Sequence, residues 1–174
     1  MKKTAILTSI FFSLLFLLAG FTVSAQTDKS NRPSPPAQVN ANVSGIKVII
    51  DYSQPSLKSR GINTLAPVGK VWRTGANEAS WIYFSDNVTI NDKLLPKGKY
   101  GLFTINNKEK WTIIFNSEWQ QWGHYDYEQS KDVLRVEVTS EKVSSSKETF
   151  TIEIEDGEAK LMWGTVIIPF TISK

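Results

Sequence analysis

The chain has 174 residues, 41% of them hydrophobic, with six tryptophans and no cysteine, so disulfides, thiolate metal sites and a cysteine nucleophile are all excluded. Its formal charge of +3 includes Lys2 and Lys3; the remaining 18 Lys and Arg against 17 carboxylates leave +1. Nucleic acid is therefore not an expected partner, because its binding needs a concentrated basic face.

Lys2 and Lys3, an apolar stretch centred on Ile10 to Leu18, and Val23, Ser24 and Ala25 before Gln26 follow the order of a secretory signal. Residues 1–25 are read as a cleavable signal peptide, with cleavage near Ala25/Gln26. An uncleaved anchor is the alternative, disfavoured because the densely apolar part falls short of the ~20 residues that span a bilayer. No cysteine follows it to carry a lipid. The expected product is exported, periplasmic or secreted, soluble and without a membrane span. Residues 26–36 (QTDKSNRPSPP) are polar and rich in proline, and read as a flexible leader. Residues 37–174 read as a single all-β domain.

From Ala37 onward, short runs of Val, Ile, Thr and aromatic residues alternate with turn residues. Gln38 to Val43 and Ile46 to Tyr52 flank Ser44-Gly45, a hairpin turn. Trp81 to Phe84 and Val88 to Ile90 follow, then a turn at Asn91 to Lys93. Tyr100 to Ile105 and Lys110 to Phe115 are placed on either side of a turn at Asn106-Asn107. In the second of these strands Trp111, Ile113 and Phe115 share one face. Val133 to Thr139 sets Leu134, Val136 and Val138 against Arg135 and Glu137, and Phe150, Ile152 and Ile154 oppose Thr151 and Glu153. The last run, Leu161 to Ile172, contains Pro169, which points to a sheet edge or bulge there. The expectation is an antiparallel β-sandwich of about nine strands, with a closed or partly open β-barrel as the alternative.

Two connections are too long for simple turns: Ser53 to Ala79 and Ser117 to Asp132. Loops of this length in compact domains either carry function or hide a short helix. The first ends in VGKVWRTGANEA, where Lys70, Trp72, Arg73, Asn77 and Glu78 offer two cations, an indole, an amide and a carboxylate. One reading is a polar site in which Arg73 grips an anionic or hydroxyl-rich group and Trp72 supplies a stacking face. The other is an internal Arg73–Glu78 ion pair that ties the loop down. The second loop, NSEWQQWGHYDYE, contains Trp119, Trp122, His124, Asp126 and Tyr127. Aromatic faces beside amides and carboxylates suit sugar rings; alternatively, they plug an open end of the sandwich.

Enzymatic templates are sparse. There is no G-x-S-x-G elbow, and neither phosphate-cradling glycine motif is present. One histidine cannot form His-x-His or His-Glu-x-x-His spacings, so no metal or cofactor is implied and no catalytic residue is assigned. A glycoside hydrolase needs only two carboxyl groups, and Glu78 with Asp126 is the pair the loops offer.

The segments SPPAQVNANVSGIKVIIDYSQPSLKSR, VGKVWRTGANEAS, LPKGKYGLFTI, WTIIFN and WGHYDYEQSKDVLRV, in that order, resemble the exported bacterial proteins grouped as domain-of-unknown-function family 2911. The resemblance runs from about Ser34 to the C-terminus. It implies a secreted or periplasmic β-rich domain and no established activity. The leading functional expectation is a non-enzymatic ligand-binding module of the cell envelope, taking a small molecule or glycan at residues of the two long loops. A hydrolase using Glu78 and Asp126, and a structural or partner-docking envelope protein, are the alternatives. Oligomeric state is left open.

Overall fold

The structure, a computed structural model, describes residues 29–174. The signal segment and the start of the leader lie outside the described residues. Two antiparallel sheets pack face to face without closing into a barrel, giving the all-β sandwich that the alternation predicts. The large sheet runs β1 (Pro36–Val43), β2 (Ile46–Ser53), β4 (Trp81–Phe84), β7 (Gly98–Asn107), β8 (Lys110–Asn116) and β9 (Asp132–Thr139). β3 (Val71–Trp72) joins it on β7. The small sheet runs β10 (Glu141–Glu155), β11 (Glu158–Ser173), β5 (Val88–Ile90) and β6 (Lys93–Leu95).

Alternation decides which side of the large sheet meets the core. Val48, Ile50, Ile82, Phe84, Leu102, Trp111, Ile113 and Phe115 face inward and are buried. From the small sheet Ile90, Phe150, Ile152, Leu161, Trp163 and Phe170 meet them. Rings interlock edge to face, as with Phe115 on Phe170 at 6.1 Å, an arrangement the ring quadrupoles favour. Pro169 falls between the part of β11 that pairs with β10 and the part that pairs with β5, so no ladder position is asked of a residue that lacks an N–H.

The eleven described strands exceed the expected nine for identifiable reasons. β3 and β6 are too short to show periodicity. The first half of β10, Glu141 to Glu148, is polar except for Val143 and is extended because it pairs with β11. The β7–β8 turn lies at Lys108-Glu109 rather than Asn106-Asn107. Asn106 pairs with Trp111, while its buried side chain bonds Asn63 and Ala66 and accepts the Lys108 N–H at 2.8 Å. Within the first long connection lies a four-residue helix, α1 (Ile62–Leu65); the second contains one 3-10 turn at Gln129–Lys131. No helix of the described residues is long and apolar enough to cross a membrane.

Candidate functional site

β3 and β4 both pair with the same edge of β7, Trp72 opposite Thr104 and Trp81 opposite Gly101. Residues 73–80 therefore leave the sheet edge and return to it. The ends of this excursion are pinned: Ser80 N–H donates to the Arg73 carbonyl at 3.2 Å, and Leu102 N–H donates to Ser80 at 2.8 Å. Thr74 and Asn77 take positive φ angles of 53° and 61°. Positive φ is unfavourable for a β-branched residue, so the surroundings must hold Thr74 in place. They do, since the Ser80 hydroxyl donates to the Thr74 carbonyl at 2.8 Å and the Trp72 indole N–H to the Gly75 carbonyl at 3.1 Å. Gly75 is required by space: a Cβ there would lie 2.9 Å from the Ser53 carbonyl oxygen. Asn77 ties the excursion to its neighbours by donating to Ser34 O and Ser53 Oγ.

The second long loop crosses the outer face of the large sheet. It does so at Gly101, where a Cβ would meet the Glu118 carbonyl oxygen at 2.8 Å and the Trp119 Cα at 3.3 Å. The two loops then pair backbone to backbone. Ala79 N–H donates to Gln121 O at 3.0 Å and Gly123 N–H to Asn77 O at 3.1 Å, around a bridge between Glu78 and Trp122. The return of the second loop into β9 is anchored at Asp132, which accepts from Tyr127 Oη (2.7 Å), Arg135 Nε (2.6 Å) and Asn116 Nδ2 (2.7 Å).

Where the loops meet, a cleft of about 420 Å³ opens on that outer face. Its lining includes Asp51, Glu78, Trp81, Trp119, Gln121 and Trp122. Asp51 and Trp81 stand opposite one another on β2 and β4, and Lys99 is on the adjacent β7. The Lys99 ammonium sits 3.4 Å from the Trp81 ring centroid and 3.5 Å from that of Trp119, a doubled cation–π contact that fixes both indoles. Burial lowers the Lys99 pKa against the opposing pull of Asp51. Burial also raises the Asp51 carboxyl, and the hydrogen bond from Gln38 offsets part of this. At Glu78 burial again opposes the charge, but the Arg32 hydrogen bond, its own backbone N–H and Lys29 prevail, holding it down to about 2. Arg32 Nη1 lies 2.7 Å from Glu78 Oε2 and Lys29 Nζ 3.0 Å from Oε1. These cations come from the segment read as a flexible leader, of which Lys29 and Pro36 line the cleft.

The ten sequence-predicted residues part company. Glu78, Trp119 and Trp122 line the cleft, and Trp122 is 56% exposed. Asn77 is committed to the bonds described above. Trp72 does not line the cleft: it is buried, stacked on Trp163 at 5.3 Å within the core, and reaches only the wall of a second cavity. The Arg73–Glu78 pair does not form: Glu78 binds Lys29 and Arg32, while Arg73 points to a separate cavity of about 330 Å³ with Lys70 and His124. Tyr127 serves the loop anchor and packs on Phe103 at 5.1 Å. Burial and the bond it donates to Asp132 push its phenol up to about 12, so it stays protonated. Asp126 is exposed and does not line the cleft. No cluster of three or more metal-binding side chains occurs among the described residues.

The loop-centred reading passed over Asp51 and Trp81, which line the cleft, and Lys99, which rests on the Trp81 and Trp119 rings. Their signal was present, since each is a charged or aromatic residue on the outward side of its strand. Strand order, which brings the three together, is not written in any one run.

No curated protein matches the chain, and neither does any solved structure. The family model described as Protein of unknown function (DUF2911) matches residues 34–172. That match covers both sheets, both long loops and every residue lining the tryptophan cleft except Lys29, and the chain belongs to the DUF2911 family.

Proposed function

We propose that this chain is an exported, non-enzymatic binding module of the cell envelope, and that the tryptophan cleft takes a carbohydrate. The observation that carries the reading is the convergence of the two long loops on one outer sheet face, with Trp81, Trp119 and Trp122 beside Asp51, Glu78 and Gln121. Flat rings favour the C–H faces of sugars, and the flanking carboxylates and amide suit hydroxyl groups. Loop-to-loop backbone pairing holds these groups in place before any ligand arrives. Export rests on the N-terminal pattern of Lys2, Lys3, the apolar run and Ala25.

A hydrolytic pair of Glu78 and Asp126 is disfavoured. Both Glu78 oxygens are engaged by cations, a poor state for a nucleophile or a proton donor, and Asp126 is outside the cleft. The test is a glycan array on the secreted protein followed by calorimetry. Trp122→Ala should fold normally and weaken the best glycan about tenfold, the loss of a contact worth more than ~1 kcal/mol. Absence of any glycan signal, or a Trp122→Ala protein that binds as the parent does, overturns the reading. Retention of the full-length chain inside the cell overturns the export assignment, and a mature start other than Gln26 or its neighbours overturns the cleavage site.

A further inference from the structure

Four buried side-chain nitrogen or oxygen atoms lack a hydrogen-bond partner among the described residues, and two of them, Arg73 Nε and His124 Nδ1, belong to the same cavity. That cavity shares no lining residue with the tryptophan cleft. It lies between α1 and the start of the 73–80 excursion, and Thr64, Leu65, Pro67 and Lys70 complete much of its wall. Gly123 brings the second loop against it, where an added Cβ would lie 3.6 Å from Arg73 Nη1.

Arg73 is distinguished by a buried guanidinium nitrogen with no acceptor among the described residues. Several cations around the loops hold carboxylates: Lys29 and Arg32 hold Glu78, Lys131 holds Glu118 and Glu128, and Arg135 holds Asp132, while Arg60 donates to the Leu57 and Ser56 carbonyls and Lys99 rests on two indoles. Arg73 has no carboxylate among the described residues, although burial is enough to lower its pKa. A structural role for Arg73 would predict an acceptor for Nε, because a buried charged donor left unpaired costs more than a neutral one. His124 stacks on Tyr125 at 5.2 Å, which fixes its ring but gives Nδ1 no partner.

We propose that this cavity is an oxyanion site that receives the phosphate or sulfate group of a small molecule, with Arg73 as the forked donor, Lys70 as the second charge and His124 as the third contact. A planar guanidinium matches two oxygens of a tetrahedral anion, and an ammonium and an imidazole can approach a third. The volume corresponds to roughly ten waters, which leaves space for the group that carries the ester. In the free protein burial and then the Arg73 charge depress the His124 pKa. The groups facing the imidazole are Arg73 and Lys70 on the first loop and Tyr125 beside it, while Thr64 and Leu65 of α1 are uncharged. An anion reverses the local field, so His124 takes up a proton on binding and affinity rises as pH falls.

His124 is the sole histidine, so its imidazole resonances report on this site without ambiguity. The full chain as exported is titrated with inorganic phosphate, sulfate, a hexose 6-phosphate and a hexose 6-sulfate, each against chloride at matched ionic strength. Saturable His124 shifts with a raised histidine pKa are expected. Tighter binding of the esters identifies an ester as the ligand; equal binding of the free ions identifies the free oxyanion. Arg73→Gln should weaken binding about ten- to a hundred-fold, the loss of a charge-assisted hydrogen bond. Lys70→Gln changes an exposed side chain, keeps the fold and should weaken binding several-fold, which preserves the test if Arg73→Gln fails to fold. Shifts no larger than those in chloride, or unchanged affinity in the folded variants, overturn the proposal.

Discussion

Glu78 is the residue whose ionisation the fold uses most directly. Its carboxyl is held down to about 2 against an ordinary 4.5, so the folded state releases this proton more readily than the unfolded chain does. The stabilisation is complete above about 4.5 and is lost as the pH falls toward about 2. Glu78→Gln should therefore be less stable than the parent at neutral pH, with the gap closing through that window. Urea unfolding at about pH 6 and about pH 3 checks this, and an equal gap at both values would refute it. Trp72 lies at the other extreme, as a residue whose chemistry invites a functional reading and whose ring is packed into the core. Stacked on Trp163 and edge-on to Phe150, it should cost about 3–5 kcal/mol as Trp72→Ala, whereas exposed Trp122→Ala should stay within about 0.5 kcal/mol. Chemical denaturation of the two variants separates core from cleft.

Among the elements, β7 carries the greatest share of the architecture. One of its edges accepts β3 and β4 in turn and the other accepts β8, while Gly101 in its middle admits the second loop. Gly101 has no positive φ to explain its lack of a side chain, so the reason is space: the crossing chain and the Phe103 ring both stand within 2.8 Å of where a Cβ would lie. Gly101→Ala should push the Glu118–Trp119 backbone outward, costing about 1–3 kcal/mol as an overpacked contact does. It should also separate Trp119 from Lys99, which tryptophan fluorescence and urea unfolding would record together. Unchanged fluorescence and stability would show that the loop yields freely. The strands that alternation identifies, such as Lys110 to Phe115, are legible because burial on one face writes a period of two. β3 and the first half of β10 leave no such mark, because one is two residues long and the other exposes both faces. Gly101 is equally silent, since the chain that requires it lies 17 residues further along.

At the scale of the whole molecule, the sandwich brings together what no single segment contains. The long loops were recognisable as functional candidates from their length and residue types, yet their sequence neighbours do not remain neighbours in space. Arg73 and Glu78, five positions apart, serve different cavities because the excursion at Thr74 and Asn77 turns the chain between them. Asp51, Trp81 and Lys99, spread over 49 positions, share one face through the β2–β4–β7 order. Site residues drawn from adjacent strands depend on strand order and register, which local patterns do not encode. The backbone pairing between Ala79 and Gln121, and between Gly123 and Asn77, also bears on kinetics. Neither loop can swing open alone without breaking hydrogen bonds to the other. The carbohydrate proposed for the tryptophan cleft is therefore expected to bind in a single bimolecular step, with an observed rate that rises linearly with ligand concentration instead of reaching the plateau that a gating motion imposes; stopped-flow tryptophan fluorescence checks this.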